Sequence, residues 1–179
     1  MTPPLIRSAA ESDVAAIARI YGHHVLHGTA TFELEPPTAE EMARRLGGIL
    51  TLGFPYLVAE RDGVVVGYAY ANSYRPRPGY RFTVEDSIYV DPAHAGTGCG
   101  RALLTALIER CEQGPWRQMV AVIGDSSNTA SIRLHERFGF RHVGRLEAVC
   151  FKFGRWVDSM LMQRPLGAGA SGALPEKPS

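Results

Sequence analysis

The chain has 179 residues, 19 Lys+Arg against 18 Asp+Glu for a formal net charge of +1, and 45% apolar residues. That size and composition suit one soluble domain with a full core and exclude wholesale disorder. A balanced charge gives no blanket attraction to nucleic acid or to an anionic membrane.

No apolar run approaches the roughly 20 residues that span a bilayer. The start, MTPPLIRSAAESDV, has no apolar secretory core. Three cysteines without a CxxC word fit a reduced, cytoplasmic protein. Pro3 to Ala9 reads as an edge strand. Ser12 then stands as a plausible N-cap before Val14, Ile17, Ile20 and Tyr21, whose spacing predicts an amphipathic helix over 13–24. GTATFELEPPT is a Thr-rich loop, and Thr38-x-x-Glu41 opens a second helix with a capping-box pattern.

From Tyr56 the apolar period becomes that of strands. YLVAER, Asp62-Gly63 and VVVGYAYANSY form a hairpin signal, because Asp-Gly suits a type I′ turn. RPRPGYR is a turn and FTVEDSIYV a further strand, stopped at Asp91-Pro92 because proline has no amide proton to pair. A glycine-rich loop, AGTGCG, runs into the helix RALLTALIERC. MVAVIG is a short buried strand, NTASIRLHERFGF a helix with a glycine terminator, and HVGRLEAVCFKF and WVDSMLM are closing strands. The order β-α-α-β-β-β-α-β-α-β-β predicts an α+β fold with a mixed sheet covered by helices. Residues 1–165 form the expected single domain, and the Gly/Ala/Ser/Pro-rich stretch 166–179 an expected disordered tail.

Gly96, Gly98 and Gly100 let backbone amides and a helix N-terminus converge on phosphate without Cβ obstruction. A Rossmann fingerprint would need glycine where Arg101 stands, and a P-loop would need Gly-Lys-Ser/Thr at the loop's end. The pyrophosphate arm of coenzyme A and a plain flexible connection both remain open from the loop alone. His135-Glu136 opens an HExxH-like word, but Gly139 occupies the place of the second histidine. His23 and His27, four apart, lack a third ligand, so no metal is expected.

YVDPAHAGTGCGRALL, followed one strand later by NTASIRLHERFGF, resembles the GNAT superfamily of acetyl-CoA-dependent N-acetyltransferases. TATFELEP, RPRPGYRFTVEDSIYVDP, VAVIG and SIRLHERFGF are similar to its phosphinothricin and methionine sulfoximine acetyltransferase group, over roughly residues 5–163. The resemblance implies a mostly antiparallel central sheet with a splayed strand pair at the cofactor site. It further implies acetyl-CoA as co-substrate, direct transfer in a ternary complex to a small amino-acid-like amine, and a homodimer.

Carried over residue by residue, Glu85 is the expected general base and His135 assists the leaving sulfur. The strand amides of Ile88, Tyr89 and Val90 bind pantetheine and stabilise the oxyanion, Tyr89 counting as catalytic through its amide. Gly96, Thr97, Gly98, Cys99, Gly100 and Arg101 hold the pyrophosphate, with Asn128 and Ser131 touching pantetheine or substrate. Phe32, Arg75, Arg77 and Tyr80 join Glu85 around the acceptor, two guanidinium groups suiting an acidic oxygen. Ala95 departs from the family's usual Gln or Arg and predicts weakened cofactor binding. Cys99 near a helix N-terminus raises an acyl-cysteine route, which direct transfer disfavours. Acetylation of a protein N-terminus or another amine metabolite, and a non-catalytic acyl-CoA-binding module, are the rival readings.

Overall fold

The computed structural model describes residues 3–171. Its seven strands are β1 (Leu5–Ser8), β2 (Tyr56–Arg61), β3 (Val64–Ser73), β4 (Thr83–Val90), β5 (Gln118–Gly124), β6 (Arg141–Lys152) and β7 (Arg155–Pro165). Four helices accompany them: α1 (Val14–His27), α2 (Ala39–Thr51), α3 (Cys99–Glu112) and α4 (Thr129–Arg137). The strands form one sheet in the order β1-β2-β3-β4-β5-β7-β6, and β4–β5 is its one parallel pair. The expected α+β architecture and element order are those observed.

Alternation along β2 and β3 divides the core in two. Tyr56, Val58 and Tyr68 pack with Ile17, Ile20, Val25, Met42 and Leu46 of α1 and α2. Leu57, Ala59, Val66, Ala69 and Ala71 pack on the other face with Leu103, Leu104 and Leu107 of α3. Helix α3 comes close to β3 at Gly67, where a Cβ would meet Cys99 Sγ at 3.0 Å and Tyr89 O at 3.1 Å. Asp62 and Gly63 both have positive φ, 51° and 76°, as a type I′ turn requires. Phe153 and Gly154, at 52° and 72°, join β6 to β7 in the same way.

Three local expectations change. Helix α1 begins at Val14 and runs on to His27, because Asp13 rather than Ser12 organises its start: the carboxylate accepts from Ala10 N at 2.8 Å and is gripped by the two terminal nitrogens of Arg7. Thr38 caps α2 by accepting from Glu41 N at 3.1 Å, but the Glu41 carboxylate pairs with Arg44 and Arg45 instead of turning back to the cap. Leu166, at the start of the expected tail, is fully buried in the α3-side core, with its N–H donating to Arg117 O at 2.9 Å. The rest of that tail from residue 172 lies outside the described residues.

Candidate active site

β4 pairs with β5 only from Thr83↔Gln118 to Asp86↔Ala121. Beyond Asp86, β4 continues against β3 to Gly67↔Val90, while β5 continues against β7 to Gly124↔Ser159. The two central strands therefore part at Asp86, which leaves one side of β4 without a ladder. Buried strand groups without partners carry a desolvation cost, so an open fork inside a sheet marks a place where something else bonds the backbone.

The direction of the free groups follows from the ladder. Asp91 N donates to Val66 O at 2.9 Å and Tyr74 N to Thr83 O at 3.3 Å. Alternation thus turns the backbone of residues 83, 85, 87, 89 and 91 toward β3, and that of 86, 88 and 90 toward the fork. Ile88 and Val90 present their amides there as expected, but Tyr89 does not. Its amide belongs to the β3 ladder, and its ring packs edge-on to Tyr21 at 5.0 Å and stacks on Tyr68 at 5.3 Å. The Val90 carbonyl is already engaged by His24, whose Nε2–H donates to it at 2.8 Å.

A cavity of about 710 Å³ runs from this fork to the glycine loop. Ile88, Tyr89, Val90, Gly96, Gly98, Cys99, Gly100, Arg101, Asn128, Ser131 and His135 all line it, which brings the sequence-predicted cofactor residues together except Thr97. Thr97 spends its hydroxyl inside the loop, on His94 O at 2.7 Å. Gly96 and Gly98 have φ of 73° and 84°, and a Cβ on either would meet nothing within 4 Å. Their glycines answer a backbone conformation, not crowding. Gly98 is the N-cap of α3, and the first intrahelical bond inside it is Ala102 N→Gly98 O, so the amides of Cys99, Gly100 and Arg101 stand open at the positive end of the helix. Ala95 lines the cavity with its own N–H bonded to Pro92 O. Arg133 and Arg137, which sequence reasoning passed over, add positive charge from α4.

Cys99 is 1% exposed, and burial pushes its thiol up to about 11 against a weaker pull from Arg61. The helix N-terminus does not make it a thiolate, and a nucleophilic role has no support in its surroundings.

At the fork, Glu85 and Asp86 send their side chains to opposite faces. Half-buried Glu85 lies on the α1/α2 face, opposite Asn72 and near Tyr70. Burial, then the neighbouring Asp86, raises its pKa above the ordinary carboxylate value, with Arg75 opposing. Asp86 faces the cavity and α4, where its Oδ2 lies 3.0 Å from His135 Nε2. His135 Nδ1 in turn lies 2.8 Å from Ser131 O. Asn128 caps α4 by accepting from Ser131 N at 3.2 Å. Asp86 was the main omission of the sequence reading, although strand alternation already put it on the face away from Glu85.

The acceptor candidates fall in two groups. Phe32 lies against Gly124, where a Cβ would sit 3.0 Å from its ring and 2.2 Å from Thr29 O. Its loop is further tied down by Thr29 Oγ1→Asp125 Oδ2 at 3.0 Å and by the buried Lys152 Nζ→Thr31 O at 2.8 Å. Ala30 of the same loop lines the cavity. Arg75, Arg77 and Tyr80 form the exposed β3–β4 turn, with Arg75 over the Tyr74 ring at 4.6 Å and Tyr80 edge-on to it at 5.6 Å. None of Phe32, Arg75, Arg77, Tyr80 and Glu85 lines this cavity or the smaller one of about 270 Å³ beneath α2. Arg75 comes nearest to the chemistry, through its charge on Glu85.

A forked mixed sheet with a glycine loop at the mouth of the fork is the geometry the family resemblance implied. The model of the acetyltransferase (GNAT) domain matches residues 6–161. The chain belongs to the GNAT acetyltransferases. It is 57% identical over 171 residues to a phosphinothricin N-acetyltransferase of Alcaligenes faecalis, covering 96% of this chain and 86% of that one. It is 44% identical to an L-methionine sulfoximine/L-methionine sulfone acetyltransferase of Salmonella typhimurium, covering 93% and 96%. The crystal structure of a GNAT phosphinothricin acetyltransferase from Sinorhizobium meliloti in complex with acetyl-CoA superposes with a TM-score of 0.95 at 45% identity, covering 98% and 95%. Among the described residues no group of three His, Cys, Asp or Glu side chains is placed to hold a metal, and no helix is long and apolar enough to cross a membrane.

Proposed function

We propose that this GNAT member transfers the acetyl group of acetyl-CoA to the α-amine of a small amino-acid-like acceptor of the phosphinothricin or methionine sulfoximine type. The observation that carries the reading is the fork at Asp86. It joins a phosphate-suited loop at one end to a carboxylate on one face of the sheet and an imidazole on the other. The open amides of Cys99, Gly100 and Arg101 suit pyrophosphate, and Arg133 and Arg137 suit a further phosphate. The Ile88 and Val90 amides are aimed where a pantetheine chain and a thioester oxygen would lie, and they are the candidates for oxyanion stabilisation.

The placement of Glu85 and His135 on two faces supports direct transfer. Glu85, with its raised pKa, takes a proton from the acceptor ammonium on the α1/α2 side. The freed amine attacks the thioester carbonyl held in the fork. The carbon–sulfur bond then breaks with its electron pair on sulfur, and His135 on the opposite side meets that charge. The Arg75–Arg77 turn supplies guanidinium groups for an acidic oxygen of the acceptor, and Phe32 supplies an apolar wall on a loop pinned by Gly124, Asp125 and Lys152.

We also place two copies in a homodimer in the cytoplasm. The β6–β7 arm exposes Val143, Leu146, Val149, Phe151, Phe153 and Trp156, the last at 64%, an apolar patch suited to a second copy. Cys99, Cys111 and Cys150 are all free thiols, as a reducing compartment keeps them. Thiol release from acetyl-CoA, measured across methionine sulfoximine, phosphinothricin, free amino acids and a peptide α-amine, tests the assignment. Turnover confined to the first two classes supports it, and equal turnover of the peptide would replace the acceptor class.

A further inference from the structure

The surroundings of His135 assign its protons. Its Nδ1 faces the carbonyl oxygen of Ser131 at 2.8 Å, an atom that only accepts, so Nδ1 carries a hydrogen. Its Nε2 faces Asp86 Oδ2 at 3.0 Å. The ring is 3% exposed and Asp86 6%, with the ring edge-on to Phe140 at 4.9 Å, so water does not mediate this contact freely. A neutral ring would leave its Nε2 lone pair against a buried carboxylate. Among the described residues Asp86 Oδ1 is buried without a partner, so the contact from Nε2 is the hydrogen bond this carboxylate has.

We propose that Asp86 is a positioning residue that keeps His135 doubly protonated inside the acyl cavity and thereby makes it the proton donor to the departing coenzyme A thiolate. The inference rests on the acetyl-transfer reading above. As the carbon–sulfur bond breaks, its electron pair goes to sulfur, and sulfur takes the Nε2 proton of His135, which gives up its hydrogen bond to Asp86 Oδ2 in that step. The ring is left neutral with its hydrogen on Nδ1, still held by Ser131 O, and it is recharged from solvent after the thiol leaves. An unassisted imidazole near 6.5 would be largely unprotonated at the pH of the cytoplasm, whereas a free thiol titrates near 8.5. Burial pulls the His135 pKa down, but the Asp86 charge, its hydrogen bond and the Ser131 carbonyl outweigh that and leave it raised. The raised proton affinity keeps the ring charged at a pH where an unassisted imidazole would not be, so a proton is on hand when the thiolate leaves.

Other titratable groups surround the pair. Glu85 is the next residue on β4, and Cys111 of α3 feels the Asp86 charge. Arg133 and Arg137 of α4, Cys99 of α3 and His24 of α1 line the same cavity. Asp86 is the one among them hydrogen-bonded to the ring, which singles it out for substitution.

The test is side-chain ¹⁵N NMR of histidine-labelled protein together with pH-rate profiles. In the parent at pH 7.5, His135 should show both ring nitrogens protonated. Asp86→Asn should lower its proton affinity at least tenfold. The same substitution should lower kcat about tenfold at pH 8 yet leave it near the parent value at pH 6, with the Michaelis constant for acetyl-CoA within twofold. In a His135→Gln background, Asp86→Asn should add no further loss. A neutral His135 in the parent at pH 7.5 overturns the proposal, as does an Asp86→Asn loss of the same size at every pH. Should Asp86→Asn not fold, the parent NMR titration and Asp86→Glu decide the question. Were no amine acceptor acetylated at all, the acetyl-transfer reading would fail, while the NMR titration would still judge the pair.

Discussion

The loop end of the cavity and the fork end use different materials. At the loop, the groups left open are backbone amides of consecutive residues, Cys99 to Arg101, presented by two positive-φ glycines and a helix N-terminus. At the fork, the groups that meet are side chains from β4 and α4, with Asp86 and His135 separated by 49 positions, beside the loop between α1 and α2. A local motif can build the first kind of site on its own. The second exists only once the sheet has formed, so substitutions at the two ends should separate in which kinetic parameter they change.

The largest effect is expected at the fork. Glu85→Gln should lower kcat/KM at pH 7 by roughly a hundredfold or more, with a smaller loss at high pH where free amine is abundant. A pH-independent loss would make Glu85 a positioning group. The same variant should melt at a higher temperature at pH 7. Burial raises the folded-state pKa of Glu85, so the ionised carboxylate destabilises the fold once the pH exceeds its unfolded value, and Gln removes that cost. Near pH 4 and below, where the carboxyl is protonated in both states, calorimetry should find the gain gone.

Gly98→Asp should act at the other end. It forces a side chain onto φ 84° and sets a carboxylate among amides suited to phosphate. The Michaelis constant for acetyl-CoA should rise by about tenfold or more, with the acceptor constant little changed. A parallel rise in both would mean that the two ends are not separable.

Arg75→Ala should raise the acceptor Michaelis constant by about tenfold, the worth of one charge-assisted contact of about 1.5–3 kcal/mol. Arg75→Lys should recover part of it, because a point charge lacks the planar fork. Unchanged kinetics with methionine sulfoximine would return the exposed turn to solvent.

Gly124→Ala should cost about 1–3 kcal/mol, because its Cβ would press on Thr29 O at 2.2 Å and the loop carrying Phe32 must shift. Thermal melting reads the stability, and the acceptor Michaelis constant should rise alongside it. Cys99→Ala is the smallest change: turnover should stay within about twofold, with a modest loss of stability from its buried contact on Gly67. Trapping an acetylated Cys99 would overturn direct transfer.

The sequence by itself determined whatever depends on neighbours along the chain. Turn chemistry at Asp62-Gly63, the proline stop after Asp91, the Thr38 cap and the glycine loop before α3 were all legible, because positive φ, a missing amide proton and a capping hydroxyl act within a few residues. Tertiary structure decided what depends on partners far away. Tyr89 lost its amide role because the β3 register claims that amide, and Cys99 became a buried thiol because α3 sits on Gly67. Leu166 joined the core through Arg117, in a stretch whose composition alone reads as tail. The hydrogen-bonded pair of Asp86 and His135 arises only where β4 leaves β5 and α4 lies across the gap. Hydrogen-bond direction, burial and cross-strand register are properties of the assembled sheet, and no local pattern of residues carries them.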